Sequence, residues 1–120
     1  MVVDAAAEEE RQTDLLFKAL GDSTRRDILG RAREGELSVS ALARLYPVSL
    51  AAVQKHVATL ERAGLVSRQR RGRETVVHAE TEALRRAHAA LDRLESAWRG
   101  RIERIDQILD HPENGDPKCQ

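Results

Sequence analysis

Ser49-Leu50-Ala51-Ala52-Val53-Gln54-Lys55-His56-Val57-Ala58-Thr59-Leu60-Glu61-Arg62-Ala63-Gly64, running into Leu65-Val66-Ser67-Arg68-Gln69-Arg70-Arg71-Gly72-Arg73-Glu74-Thr75-Val76-Val77-His78-Ala79, decides how this chain folds. Ser49 is an N-cap residue, residues 50–63 predict a helix, and Gly64 supplies its stop. Val53, Val57 and Leu60 recur at helical spacing and form the buried stripe. The pattern then changes to alternation. Residues 65–70 and 75–79 carry the β-branched Val66, Thr75, Val76 and Val77, which favour strand. Gly72 suits the positive φ of a tight turn. A two-stranded hairpin with an arginine-rich tip is expected directly after the helix.

Further helices are expected on the N-terminal side. Residues 39–45 form a short one, capped by Ser38, with Leu42 and Leu45 turned inward. Tyr46, Pro47 and Val48 break it from the next helix, because Pro47 disfavours helical backbone at Tyr46. Residues 23–33, capped by Asp22 and closed by Gly35, bury Ile28, Leu29 and Ala32. Residues 13–20 turn Leu15, Leu16, Ala19 and Leu20 to one side and end at Gly21. Residues 1–12, small and acidic, are expected as a disordered N-terminus, and residues 111–120 as a disordered tail.

On the C-terminal side Thr81 caps a last helix, residues 82–110. Leu84, His88, Leu91, Glu95, Trp98, Ile102, Ile105 and Leu109 alternate spacings of four and three, a heptad seam that His88 and Glu95 interrupt. About 29 residues at a rise of 1.5 Å span roughly 43 Å. That exceeds a small domain, so part of this helix is expected to lie against a partner, with Trp98 as an anchor. His88 is read as a polar residue tolerated in the seam. The expected organisation is a mainly α chain with a small β-hairpin: residues 13–80 as a winged helix-turn-helix domain, residues 81–110 as a C-terminal dimerisation helix.

Composition narrows the function classes. The chain has 120 residues, one Phe, one Trp and one Tyr, so its core is aliphatic and thin, and oligomerisation is expected. Formal net charge is zero but unevenly spread. Asp4, Glu8, Glu9, Glu10 and Asp14 face one Arg11 near the start, whereas Arg68, Arg70, Arg71 and Arg73 cluster without an acid between them. The sole cysteine, Cys119, cannot form an internal disulfide, reads as an inert tail thiol and fits a reducing cytoplasm. The acidic start does not read as a signal peptide, and no stretch approaches the ~20 apolar residues of a membrane span. No Gly-rich phosphate loop, paired acids or nucleophile–base arrangement suggests an enzyme. No cofactor is expected.

The constellation points to double-stranded DNA. One α-helix fits the major groove, the preceding helix braces it across the backbone, and a basic hairpin reaches a neighbouring groove. Opposite its core stripe the long helix of residues 50–63 offers Leu50, Ala51, Gln54, Lys55 and Ala58. Gln54 can bond adenine bidentately and Lys55 can reach phosphate or guanine. Ala51 and Ala58 admit close backbone approach. Ser49 and the first helical amides can hold a phosphate. His56, at the flank, is either a base reader or a packing group. Arg25 and Arg26 are either surface charges or phosphate contacts. Arg68, Arg70, Arg71 and Arg73 suit phosphate, and also guard a strand edge. His78 and His111 read as ordinary surface residues.

These residues resemble a known family. The run Leu16-Phe17-Lys18-Ala19-Leu20-Gly21-Asp22-Ser23-Thr24-Arg25-Arg26-Asp27-Ile28-Leu29 is similar to the opening signature of ArsR-type winged-helix repressors. Residues 53–66 look like their recognition helix entering the first wing strand, and Gly72-Arg73 like their wing turn. The last helix, with Trp98 near arginines, is similar to the SdpR-like branch without metal sites. The resemblance implies a homodimer in which the first and last helices pack on the partner, through Leu15, Leu16, Leu84, Leu91, Trp98, Ile102 and Ile105. It also implies repression at an operator, often the protein's own promoter, with Gln54, Lys55 and His56 facing DNA. Gln54 and Leu50 stand where the family usually has a small Ser and a polar residue, so base preference does not carry over. Metal-sensing relatives read Glu-Leu-Cys-Val-Cys-Asp-Leu where this chain reads Glu36-Leu37-Ser38-Val39-Ser40-Ala41-Leu42, and serine is a poor ligand for soft metals. His88 and Asp92, one turn apart, do not fill a tetrahedral shell. The expected function is a homodimeric repressor on an inverted repeat. The alternatives are a sensor that releases DNA when a small molecule binds at the dimer interface, and a coiled-coil interaction module.

Overall fold

In the computed structural model, which describes residues 4–110, the aliphatic stripes meet in one core built from five helices and three strands. The elements run α1 (Ala5–Leu20), α2 (Ser23–Glu34), β1 (Leu37–Ser38), α3 (Val39–Ala43), α4 (Leu50–Arg62), β2 (Val66–Arg71), β3 (Glu74–Ala79) and α5 (Thr81–Asp110). Leu16, Ile28, Leu42, Val53, Val57, Leu60, Leu65 and Val77 are fully buried. No polar or charged residue is buried among the described residues. Hydrophobic burial therefore carries the packing, and the polar groups act at helix ends and on the surface.

α1 starts at Ala5, where the sequence reading put a disordered segment through residue 12. The reason is local. The Asp4 carboxylate accepts from the Ala6 amide at 3.0 Å and caps the helix. Ala5, Ala6 and Ala7 are strong helix formers, and Glu8 complements the positive end of the dipole. Glu8 also pairs with Arg11 and accepts from Gln12 Nε2 at 3.0 Å, one turn on.

α3 ends at Ala43, two residues before the expected stop. Leu45 is 47% exposed instead of turned inward. Its amide closes a tight turn onto the Leu42 carbonyl at 2.9 Å, so helical spacing no longer governs its direction. Ser38 serves twice, as the end of β1 and as the N-cap of α3, its Oγ accepting from the Ala41 amide at 3.0 Å.

The hairpin is the larger part of a three-stranded antiparallel sheet in the order β1-β3-β2. Register runs from Val66 opposite Ala79 to Arg71 opposite Glu74, which leaves a two-residue turn of Gly72 and Arg73. Gly72 has φ +62°, the left-handed conformation this turn needs. β1 is an addition to the expected hairpin: Leu37 pairs with Val77 and Ser38 with Val76. Two residues are too few to display an alternating pattern. At the end of α4, Gly64 at φ +78° reverses the chain, and the Leu65 amide bonds back to the Leu60 carbonyl at 3.0 Å.

The chain divides into two compact units with a boundary between Ala87 and His88, inside α5, seven residues beyond the expected edge at residue 80. Ala83 and Ala87, on the first turns of α5, belong to the core of the first unit. In the second unit α5 carries Leu91, Leu94, Trp98, Ile102, Ile105, Ile108 and Leu109, all exposed, beside an Arg99–Glu95 ion pair at 2.5 Å. Among the described residues no helix is long and apolar enough to cross a membrane.

Candidate nucleic-acid interface

The exposed face of α4 is set by its buried one. With Val53, Val57 and Leu60 fully buried, Leu50, Ala51, Gln54 and Lys55 are exposed, while Ala58 is half-buried. Ser49 caps the helix, its Oγ accepting from the Ala52 amide at 3.1 Å, and leaves the Leu50 and Ala51 amides at the open end. Among the described residues neither the Gln54 amide nor the Lys55 ammonium has a side-chain partner. The face is polar, open and uncommitted.

Two tethers aim this helix, both from α2, which is itself fixed to α1. Arg25 of α2 donates from Nε to the Ala19 carbonyl and from Nη2 to the Lys18 carbonyl, both at 2.8 Å, and Arg26 donates to the Leu20 carbonyl at 2.7 Å. The two arginines thus satisfy the last carbonyls of α1, which a helix end leaves without partners. At the sequence level Arg25 is open as a surface charge or a phosphate contact; the geometry gives it instead a structural role. Its Nη1 lies 3.3 Å from His56 Nδ1, joining α2 to α4. His56 is half-buried against this arginine and stands at the edge of the exposed face. Asp22, the N-cap of α2, has its carboxyl lowered below the usual 3.8, mainly because it accepts from the Arg25 amide.

The second tether holds the turn between α3 and α4. The Tyr46 hydroxyl donates to Asp27 Oδ2 at 2.5 Å, and Arg31 Nε donates to the same oxygen at 2.8 Å. The Arg31 guanidinium lies 5.9 Å from the centre of the Tyr46 ring, within reach of a cation–π contact. These two donors hold the Asp27 carboxyl below its usual range. Burial, and donation to a carboxylate, push the Tyr46 phenol up to about 12. The turn that launches α4 is thereby fixed to α2.

The wing arginines separate into two kinds, which their sequence did not show. Arg68 reaches Glu61 Oε1 of α4, with Nη2 at 2.7 Å and Nε at 3.0 Å. Arg71 meets both oxygens of Glu36 at 2.5 and 3.1 Å. Arg70 meets only the Gly72 carbonyl, at 3.1 Å, which leaves its charge uncompensated. Arg73, in the turn, has no acidic partner among the described residues. His78 also leaves the role of an ordinary surface residue: its Nδ1 lies 3.3 Å from Glu36 and its Nε2 3.0 Å from Gln69 Oε1. The sequence does not mark Glu36 or Glu61, because both pairings cross between different elements, 35 residues apart for Glu36–Arg71 and from helix to strand for Glu61–Arg68.

The expected partner-facing residues also divide. Leu16, 2% exposed, belongs to the core of its own chain and is not available to a partner. It lies on the inner side of α1 and shares one core cluster with Ile28 and Val57. Leu15 and Leu84 are half-buried against that core. Leu91, Trp98, Ile102 and Ile105 are exposed, together with Leu94, which the strict four–three spacing passed over. His88 and Asp92 are exposed on α5. No group of three or more His, Cys, Asp or Glu able to hold a metal occurs among the described residues. Cys119 and His111 lie outside them.

Comparison with known proteins agrees with this geometry. Residues 20–69 match the model of a helix-turn-helix domain family. The chain is 35% identical over 100 residues to the HTH-type transcriptional regulator Rv2034 of Mycobacterium tuberculosis, covering 83% of this chain and 91% of that protein. It is 40% identical over 80 residues to the HTH-type transcriptional regulator YuzN of Bacillus subtilis, covering 60% of this chain and 86% of that protein. Among solved structures, an ArsR-like transcriptional regulator from Rhodococcus sp. RHA1 superposes with a TM-score of 0.73 at 34% identity, over 82% of this chain and 93% of that one. A winged helix-turn-helix domain from Mycobacterium bovis, Mb0332, described as homodimeric, shares the fold at 22% identity with a TM-score of 0.59, over 97% of this chain and 95% of that one. A surface helix braced by α2 and followed by a basic wing, in a sequence this close to known regulators, assigns the chain to the ArsR family of winged helix-turn-helix transcriptional regulators.

Proposed function

We propose that this regulator is a homodimeric, sequence-specific repressor that occupies an inverted-repeat operator. The observation that carries the proposal is the open face of α4, Ala51, Gln54 and Lys55, lying in sequence and fold just ahead of the uncompensated Arg70 and Arg73. Gln54 reads a base edge, Lys55 and the two free arginines meet phosphate, and the Leu50 and Ala51 amides hold a phosphate at the helix start. His56 orients α4 through Arg25 and contributes less to direct readout. The exposed stripe from Leu91 to Ile105 supplies the surface a second copy would cover; the Mycobacterium bovis domain of the same fold is itself described as homodimeric. Two recognition helices related by a two-fold axis then meet half-sites about one helical turn apart.

The test is fluorescence anisotropy of the purified protein on labelled DNA from directly upstream of its own gene, beside a random duplex, at low and near-physiological salt. Tight binding to the upstream DNA alone at the higher salt supports a specific, self-regulating repressor. Equal binding to both, lost with salt, rejects an operator in that region. Absence of binding at either salt rejects the proposal.

A further inference from the structure

Half of the positive charge on the wing is neutralised inside the chain. The two carboxylates that do this come from different elements: Glu61 from the last turn of α4, and Glu36 from just ahead of β1. Each holds its arginine through two nitrogens, Arg68 on Glu61 Oε1 and Arg71 across both oxygens of Glu36. Arg70 and Arg73, on the same hairpin, are left without an acid among the described residues.

A carboxylate and a phosphate compete for the same planar guanidinium fork. An arginine that leaves its glutamate for DNA strands a bare carboxylate close to the phosphate backbone. The exchange then costs the original pair and adds a like-charge repulsion. An arginine kept in its pair presents no net charge and releases few counterions. Either way, Arg68 and Arg71 add little to the sequence-independent attraction that cations at these positions would otherwise supply.

We infer that Glu61 and Glu36 are specificity determinants: internal competitors for phosphate that hold down non-specific DNA binding by the wing and leave discrimination to the α4 face. This rests on the DNA-binding reading above. It deepens that reading by naming two acidic residues, one of them on the recognition helix itself, that oppose binding to DNA in general. Biological selectivity depends on the ratio of specific to non-specific affinity, so weakening the latter is useful in its own right.

The experiment measures anisotropy on a random-sequence duplex across a salt series for the wild type, Glu61→Gln, Glu36→Gln, Arg68→Ala and the double variant Glu61→Gln/Arg68→Ala. Each Glu→Gln change frees one arginine. It should tighten low-salt binding and steepen the slope of log K against log salt by about 0.9, an extra loss of about 3.5-fold between roughly 50 and 200 mM. Arg68→Ala alone should leave the slope near the wild-type value, and in the Glu61→Gln background it should restore that value. Glu36 is exposed and Glu61 half-buried with its carboxylate at the surface, so folding should survive, and Arg68→Ala gives an independent reading if it does not. Unchanged slopes in both Glu→Gln variants overturn this inference alone. So does an Arg68→Ala slope shallower than the wild type's by about 0.9, because Arg68 would then reach phosphate despite Glu61. A wild type that binds neither this duplex nor upstream DNA overturns the DNA-binding reading as well.

Discussion

Replacing Trp98 by alanine should dissociate the proposed dimer while leaving the winged unit folded. Trp98 is 63% exposed within its own chain. A tryptophan side chain offers up to about 250 Å², so roughly 150 Å² is free to be covered. At about 25 cal/mol per Å², complete coverage would be worth about 4 kcal/mol. Covering half gives about 2 kcal/mol per protomer and, because a two-fold interface uses each residue twice, about 4 kcal/mol per dimer, or about a thousand-fold in Kd. Sedimentation equilibrium over a wide concentration range reads that shift. Trp98 is the only tryptophan, so its fluorescence reports the same event in the wild type: emission should move to the red on dilution as the indole becomes wet. A variant that sediments as the wild type does, together with wild-type emission unchanged by dilution, would refute the assignment of this stripe to a second copy.

Three further outcomes are expected. Gln54→Ala should cost about 1–3 kcal/mol on the operator and relax preference at one base position, whereas Lys55→Ala should weaken binding to all sequences alike; competition assays with point-substituted operators separate the two. The sole tyrosine, Tyr46, should ionise with a midpoint near 12 instead of the usual 10 when followed by tyrosinate absorbance. Since the folded value is the raised one, its stabilisation is complete below pH 10 and lost as the pH rises through about 12; Tyr46→Phe should lack that alkaline loss, and a midpoint near 10 would break the Tyr46–Asp27 tether. Gly72→Ala should destabilise the fold by about 1–2 kcal/mol in denaturant titration, since an L residue is strained at φ +62° even with open space around it, and Gly72→Asn should cost less.

Much of this architecture is written in short-range pattern. The Val53, Val57, Leu60 stripe, the caps at Asp22, Ser38 and Ser49, and the stops at Gly21 and Gly64 each act within one or two turns, so they read directly from the chain. The helical start at Asp4 is of the same kind: a cap, three alanines and an acidic first turn are all local, and acidity, which suggests disorder, is also what a helix N-terminus favours. The exposed face of α4 follows from the buried one by geometry alone, which is why the exposure of Gln54 and Lys55 is legible in the sequence.

Other features exist only because distant segments meet. The two-residue strand β1 has no pattern of its own and is defined by pairing with β3. Leu16 reads equally well as core or interface until the rest of the core closes over it. The four wing arginines look equivalent along the chain. Only folding brings Glu61 to Arg68 and Glu36 to Arg71, across 7 and 35 residues of sequence, and so divides the charge that is spent within the molecule from the charge that is left for a partner. By itself the sequence determined the helices, the hairpin and the exposed face proposed to read DNA, because those depend on periodicity and local capping. The strength of that face's basic flank was decided by tertiary structure, because electrostatics follows distance in space and not separation along the chain.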